Sequence, residues 1–346
     1  MNRLLSGAIV TWMAAASGSA GEPFLAAASS QHLEQFGSGT VRSAYIRHPL
    51  AGSVDASMSL VADTAGAGCR TSRIGEITVA TLRNAPIVTL LANGSPVTLL
   101  LDTGAEATIL TPAVAQRVGA QPPRVEFPRQ MRGITGTLGT SEVELRSLTA
   151  GKVSIPWRRV RVASVNMPSV FSGPLDGLLG VDSLSTFDID LDLAHHRMVF
   201  YAKQSCPEAA PVWIEPYARI TARRSFSGHL VFPVQLNGHE VDAFVDTGAQ
   251  STVLSTRAAL ALGVTETALA RDRPTVTSGA AAGQLSSHAH RFTSLEIGGE
   301  IVRNPEIVVV DVKLSDADLV LGIDFLISRR IWLSYGSEQI FLSRRG

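Results

Sequence analysis

The four-residue string Asp-Thr-Gly-Ala occurs twice, at residues 102–105 and 246–249, and each copy follows an apolar run of strand type, Leu99-Leu100-Leu101 and Ala243-Phe244-Val245. Each run therefore delivers one Asp to the start of a Thr-Gly turn, at the end of a buried strand. A lone carboxylate in such a place is costly. Two carboxylates that meet and share a proton escape much of that cost. The duplicated string thus predicts a catalytic pair, Asp102 and Asp246.

The duplication extends well beyond those letters. Strand-like stretches flank Asn93-Gly94 and again Asn237-Gly238, a dipeptide that favours tight hairpins, and nine residues separate each Asn from its Asp (102 − 93 and 246 − 237). After the turn, Thr108-Ile109-Leu110 matches Thr252-Val253-Leu254 and Gly119 matches Gly263, all at the offset of 144 (246 − 102). Between them, residues 112–118 and 256–262 have the composition of a short helix. Further on, Asp176-Gly177-Leu178-Leu179-Gly180-Val181-Asp182 matches Asp318-Leu319-Val320-Leu321-Gly322-Ile323-Asp324 at an offset of 142 (318 − 176). Residues 187–193 with 198–201, and 331–335 with 340–342, read as closing hairpins. The chain is an internal repeat of two similar units.

With 346 residues the chain has room for about two domains with ample core. Frequent Gly and Pro and few stretches of helical periodicity favour short strands and turns, so the expected class is all-β. Lys plus Arg (30) balance Asp plus Glu (30), which gives no general attraction to nucleic acid or acidic membranes. Residues 1–20 have the pattern of a secretory signal, with Arg3, an apolar stretch at 4–16 and the small residues Gly18-Ser19-Ala20. The alternative is a disordered or membrane-anchored N-terminus. The apolar stretch is too short to span a bilayer comfortably, and export to the periplasm or the medium is expected, with no stable membrane span after signal removal. The Ala-, Ser- and Gly-rich residues 21–73 form an N-terminal extension, loosely ordered or inhibitory. Residues 74–203 and 225–346 form the two repeat units, and the proline-bearing residues 204–224 link them.

In an oxidising compartment the only two cysteines, Cys69 and Cys206, are expected to pair. Such a bond would close a loop of 137 residues (206 − 69), a contribution of about 4–5 kcal/mol in the chain-entropy model. The alternative is two separate buried thiols. Neither cysteine has a zinc-type spacing, and His195-His196 and His288-Ala289-His290 read as hairpin or strand surface rather than metal ligands. Asp188, Asp190 and Asp192 alternate with Ile189 and Leu191, which predicts a shared and solvated strand face. Asp182 and Asp324 are expected to cap short helices. No nucleophile elbow, phosphate loop or dinucleotide fingerprint occurs.

On the paired Asp-Thr-Gly-Ala strings, each followed by Thr-Ile-Leu or Thr-Val-Leu, and on the paired elements Leu178-Leu179-Gly180 and Val320-Leu321-Gly322, residues 76–346 resemble the aspartic peptidases of the retroviral type. Retroviral enzymes assemble the site from two chains, whereas this one holds both halves, as pepsin-like enzymes do. The resemblance implies two β-barrel-like lobes related by a pseudo-twofold axis, with a peptide or protein substrate in the cleft between them. It implies a monomer that uses a water between Asp102 and Asp246 and needs no cofactor, metal or covalent intermediate. Thr103 and Thr247 would reach across the interface to lock the lobes, and Gly104 and Gly248 would let backbone amides approach the carboxylates. Ala105 and Ala249 stand where pepsin-like enzymes often carry Ser or Thr. One hydrogen bond to the charged form is then missing, which predicts activity at less acidic pH. Flap hairpins are expected at Gly133, Ile134, Thr135 and Gly136 and, in the second lobe, around Ser278 and Gly279. Two other assignments fit the same motifs: a catalytically silent homologue that binds peptides in the cleft, and lobes paired between different chains.

Overall fold

The computed structural model describes residues 11–12, 71–124, 129–165, 175–314 and 316–344. Cys69, most of the expected signal and most of the 21–73 extension lie outside the described residues. Among the described residues the chain is nearly all β, in two similar halves, with three sheets of ten, eleven and six strands. The first two sheets run as open strand paths rather than closed barrels.

Each half is built around one hairpin and one short parallel strand. In the first, Ala85–Ala92 and Ser95–Leu101 pair around Asn93 and Gly94, whose φ values of 52° and 85° are those of a primed turn. Ser95–Leu101 then runs parallel to Gly177–Leu179, with Leu101 opposite Leu179, and Ile109–Leu110 covers the other edge of that short strand. The second half repeats the pattern with Leu230–Leu236 and His239–Val245 around Asn237 and Gly238 at 52° and 78°. There Val245 lies opposite Leu321 in the parallel pair, and Val253–Ser255 takes the outer edge. The last three residues of each strand before its Asp, Leu99 to Leu101 and Ala243 to Val245, are all apolar and buried because both faces are covered there. Short helices follow at Pro112–Arg117 and Thr256–Ala261; Pro112 opens the first, and the Ser255 hydroxyl accepts the Ala258 amide of the second.

The third sheet fastens the halves together. The closing hairpins, Phe187–Asp192 with Arg197–Ala202 and Arg330–Ser334 with Gln339–Ser343, join edge to edge through Phe187–Asp192 and Arg330–Ser334. Arg73–Thr78 adds to one side, and Tyr217–Thr221, within the linking stretch, adds to the other. Cys206, in the same stretch, is disulfide-bonded. Thr11–Trp12 forms a two-residue antiparallel strand with Ser278 and Gly279 in the second half. Among the described residues no helix is long and apolar enough to cross a membrane.

Asp188, Asp190 and Asp192 do share a face, but it is buried rather than solvated. Alternation shows which side chains lie together; it does not show whether another layer covers them. Here Trp213 and its neighbours lie over the sheet, packed with Val199, Tyr201, Trp332 and Phe341. Each carboxylate is matched accordingly. Asp190 takes two hydrogen bonds from Arg330, at 2.9 and 2.7 Å, and one from the Trp213 indole at 3.1 Å. Asp188 accepts from the Gly336 amide and the Ser334 hydroxyl, and Asp192 faces His195 and Arg197. Asp190 and Arg330 come from different halves; Arg330→Met leaves the buried Asp190 carboxylate without its cation, with the Trp213 indole still donating to it, and should cost about 3 kcal/mol, read as a lower denaturant midpoint with an unchanged slope.

Candidate active site

The parallel pairing brings both Asp-Thr-Gly-Ala turns to one point. The Asp102 amide donates to the Leu179 carbonyl at 3.1 Å and the Asp246 amide to the Leu321 carbonyl at 3.0 Å, so each Asp starts where its strand ends. The turns then interlock. The Thr103 hydroxyl donates to the Val245 carbonyl (2.8 Å) and accepts the Thr247 amide (3.0 Å). The Thr247 hydroxyl donates to the Leu101 carbonyl (2.6 Å) and accepts the Thr103 amide (3.1 Å). All four bonds are buried and each crosses between the halves.

Behind each turn, Asp182 and Asp324 do not cap their helices, whose caps are Gly180 and Gly322. They sit in the first helical turn and reach sideways. Asp182 accepts the amide and the hydroxyl of Thr108, at 2.8 and 2.7 Å, and Asp324 binds Thr252 in the same way at 2.8 Å twice. Burial pushes the Asp182 carboxyl up to about 6, against the hydrogen bonds from Thr108 and Ser183. These bonds tie the two sequence landmarks of each half into one unit.

Asp102 and Asp246 are wholly buried and lie within hydrogen-bonding reach of each other. Oδ1 of Asp102 accepts the amides of Gly104 (3.0 Å) and Ala105 (2.9 Å), and Oδ1 of Asp246 those of Gly248 (2.8 Å) and Ala249 (3.1 Å). Oδ2 of each has no donor among the described residues. The glycines stand against the opposite carboxyl: a Cβ on Gly104 would fall 2.2 Å from Asp246 Cγ, and one on Gly248 2.6 Å from Asp102 Cγ. No side chain fits at either position.

Burial, then the charge of Asp246 and a hydrogen bond with it, hold the Asp102 carboxyl well above its ordinary range, against the Gly104 and Ala105 amides. Burial raises Asp246 too, opposed by the Gly248 amide, Asp102, His229 and the Ala249 amide. Two carboxyls so placed take up one proton between them more readily than they give up both. The pair is able to hold a proton on one side and a negative charge on the other, the requirement for concerted acid and base chemistry.

Both flap candidates are hairpins, and their tips touch. Arg129–Gly133 and Gly136–Glu144 carry Ile134 and Thr135 at the first tip; Arg273–Gly279, which includes Ser278, and Gln284–Arg291 carry the second. The Thr135 hydroxyl donates to the Ala281 carbonyl at 2.6 Å, and a Cβ on Gly279 would fall 2.7 Å from that hydroxyl. Ile134 packs into an apolar cluster of the second half with Val231 and Phe244, while Ala280 packs into one of the first with Leu100 and Met131. Each tip is thus seated in the other half.

Other features near the turns had no sequence signal of their own. Glu106, after the first turn, pairs with Arg161 at 2.9 Å, whereas Gln250 occupies the matching place in the second. His229 and Asp316 form a buried pair beside Gly104. The histidine pairs weighed as metal ligands are placed otherwise: His195 faces Asp192, and His288 and His290 lie on one strand, His290 paired with Asp272.

Residues 88–183 match the aspartyl protease family model, and residues 232–328 match that of the gag-polyprotein aspartyl protease. The chain belongs to the retropepsin-like aspartyl protease family. It carries two such domains in tandem, one on each side of the site. Of solved structures, this two-domain aspartyl protease is similar to the aspartic proteinase from Irpex lacteus, at 13% identity and a TM-score of 0.50, over 79% of this chain and 97% of that one. A retropepsin-like aspartic protease from Rickettsia conorii aligns at 24% identity with a TM-score of 0.29, over 38% of this chain and 96% of that one. No curated protein matches the sequence.

Two expectations follow for this aspartyl protease. Thr247→Val strips a partner from the Thr103 amide and from the Leu101 carbonyl, and should cost about 1–3 kcal/mol for each buried group, seen in the denaturation midpoint. The raised carboxyl of Asp102 favours its proton in the folded state, so folded stability falls as pH climbs from the ordinary carboxylate range through that raised value. Asp102→Asn cannot ionise; its melting temperature should match the parent's in acid and exceed it at neutral pH by about 2–4 °C.

Proposed function

We infer that this protein is an aspartic endopeptidase that hydrolyses peptide bonds of peptide or protein substrates with a water activated between Asp102 and Asp246. One observation carries the reading: two buried carboxyls face each other with their Oδ1 atoms fixed by backbone amides and their Oδ2 atoms without donors among the described residues. The family and the fold support it.

In the proposed reaction the ionised carboxylate takes a proton from the water as its oxygen attacks the scissile carbonyl carbon. The protonated carboxyl donates to the carbonyl oxygen, and a neutral tetrahedral diol forms. Return of a proton to the nitrogen, with collapse of the diol, breaks the carbon–nitrogen bond and releases the amine. The backbone amides at Oδ1 stabilise the charged partner, and burial keeps the other protonated. Thr103 and Thr247 hold the separation between them, and the tips around Thr135 and Ala281 would have to part to admit a chain and then close over it. The N-terminal pattern supports action after export, as a monomer whose halves supply one carboxyl each.

Asp102→Asn and Asp246→Asn should each lower kcat/KM on a denatured protein or peptide library by about 10²-fold to 10⁴-fold or more, without loss of the fold. Equal cleavage by parent and variants would refute the mechanism; a folded parent that binds peptides and never cleaves them would make it a binding module. Because Asp102 keeps its proton to higher pH, activity should extend into weak acid and fall as pH rises through its raised value. A rate profile that peaks at about pH 2, within the acidic range of the pepsin pair, would contradict that.

A further inference from the structure

We propose that His229, held as an imidazolium by Asp316, is a positioning residue that fixes the first turn through the Gly104 carbonyl and makes Asp246 the ionised member of the carboxyl pair. The inference rests on the endopeptidase reading for its kinetic consequence alone.

His229 lies just before the strand Leu230–Leu236, its ring stacked on Phe244 with centroids 4.6 Å apart and planes 9° from parallel. Its side chain is 1% exposed. Nδ1 is 2.7 Å from Asp316 Oδ2, and Nε2 is 3.0 Å from the carbonyl oxygen of Gly104. A carbonyl oxygen only accepts, so Nε2 carries a proton. Asp316 Oδ2 already receives a donor, the Ser225 hydroxyl at 2.9 Å, whose oxygen in turn takes the His229 backbone amide at 3.1 Å. Asp316 is therefore a carboxylate, and Nδ1 carries a proton as well. A ring protonated on both nitrogens is a cation, and a buried cation persists when it is paired in this way.

Gly104 is the link to the site. Its carbonyl receives His229, while its α-carbon lies so close to the Asp246 carboxyl that a Cβ would fall 2.2 Å from Cγ. The positive charge therefore stands one residue's thickness from Asp246. The repeat offset places Ala85 where the second half has His229, so the charge has no counterpart opposite (229 − 144). The other charged groups that face the imidazole do not cancel it. Glu106 is paired with Arg161, and Arg223 is engaged by Asp242 and by the Asp316 carbonyl oxygen. An unmatched cation favours the charged form of the nearer carboxyl. Asp246 is then the base toward water and Asp102 the acid toward the carbonyl.

The test uses the full mature chain labelled with 15N in histidine and 13C in the aspartate carboxyls. His229→Gln identifies the imidazole signals, and Asp246→Asn identifies the carboxyl. At neutral pH His229 should show two protonated ring nitrogens, and Asp316→Asn should convert it to the neutral ring. The lower of the two titration midpoints of the carboxyl pair should belong to Asp246. In His229→Gln, whose amide can still donate to Gly104, that midpoint should rise by about one pH unit, and the acid limb of the kcat/KM profile should move up with it. A neutral His229 in the parent, or an Asp246 midpoint unmoved in both His229→Gln and Asp316→Asn, would overturn the proposal. These spectra need no turnover, so a parent chain without peptidase activity would sink the endopeptidase reading and still leave the imidazolium and its effect on Asp246 decided.

Discussion

Everything at the centre of the molecule depends on two threonine hydroxyls. Thr103 and Thr247 each donate to a strand carbonyl and accept a backbone amide of the opposite half, so the last strand residues and the first turn residues of both halves satisfy one another. Without that exchange four polar backbone groups would be buried without partners, a heavy cost in an apolar setting. With it, the two carboxyls are held face to face by groups that have nowhere else to go. Uptake of one proton by the pair relieves their mutual repulsion, and the amides at Oδ1 offset it further.

The same reciprocity recurs at two other levels. At the base, Asp190 of one closing hairpin clasps Arg330 of the other; at the top, Ile134 and Ala280 are each seated in the apolar cluster of the opposite half. Base and core contacts lie in sheets whose strands are buried and paired on both sides. The contact at the top joins two hairpin tips through the Thr135 hydroxyl and the Ala281 carbonyl and through the seating of Ile134 and Ala280. Local opening free energy is lowest where few apolar contacts and few ladder bonds must be broken. Among the described residues no strand pairing joins the two tips, whereas the base is held across the halves by a paired strand.

Much of this could be read from the sequence because duplication leaves a record. Asp102 and Asp246, the Asn-Gly turns before them and the apolar-Gly elements behind them stand at matching offsets, so each half vouched for the other. The misreadings came where the repeat is silent about what covers a surface. The alternation of Asp188, Asp190 and Asp192 marked a common face, but the layer over it comes from the linking stretch around Trp213, which has no repeat partner. The ties from Asp182 to Thr108 and from Asp324 to Thr252 were within reach, since both pairs recur. His229 and Glu106 were not, because their counterparts are Ala85 and Gln250.

Those unmatched positions follow from the covalent joining of the halves. When two identical subunits build a shared centre, every charge added to one is added to the other, and the local field keeps its twofold balance whatever mutation does. Placing both halves in one polypeptide releases each from copying its twin. A cation, an ion pair or a neutral amide can then be introduced on one flank alone, and selection is free to tune two chemically identical side chains toward different protonation states.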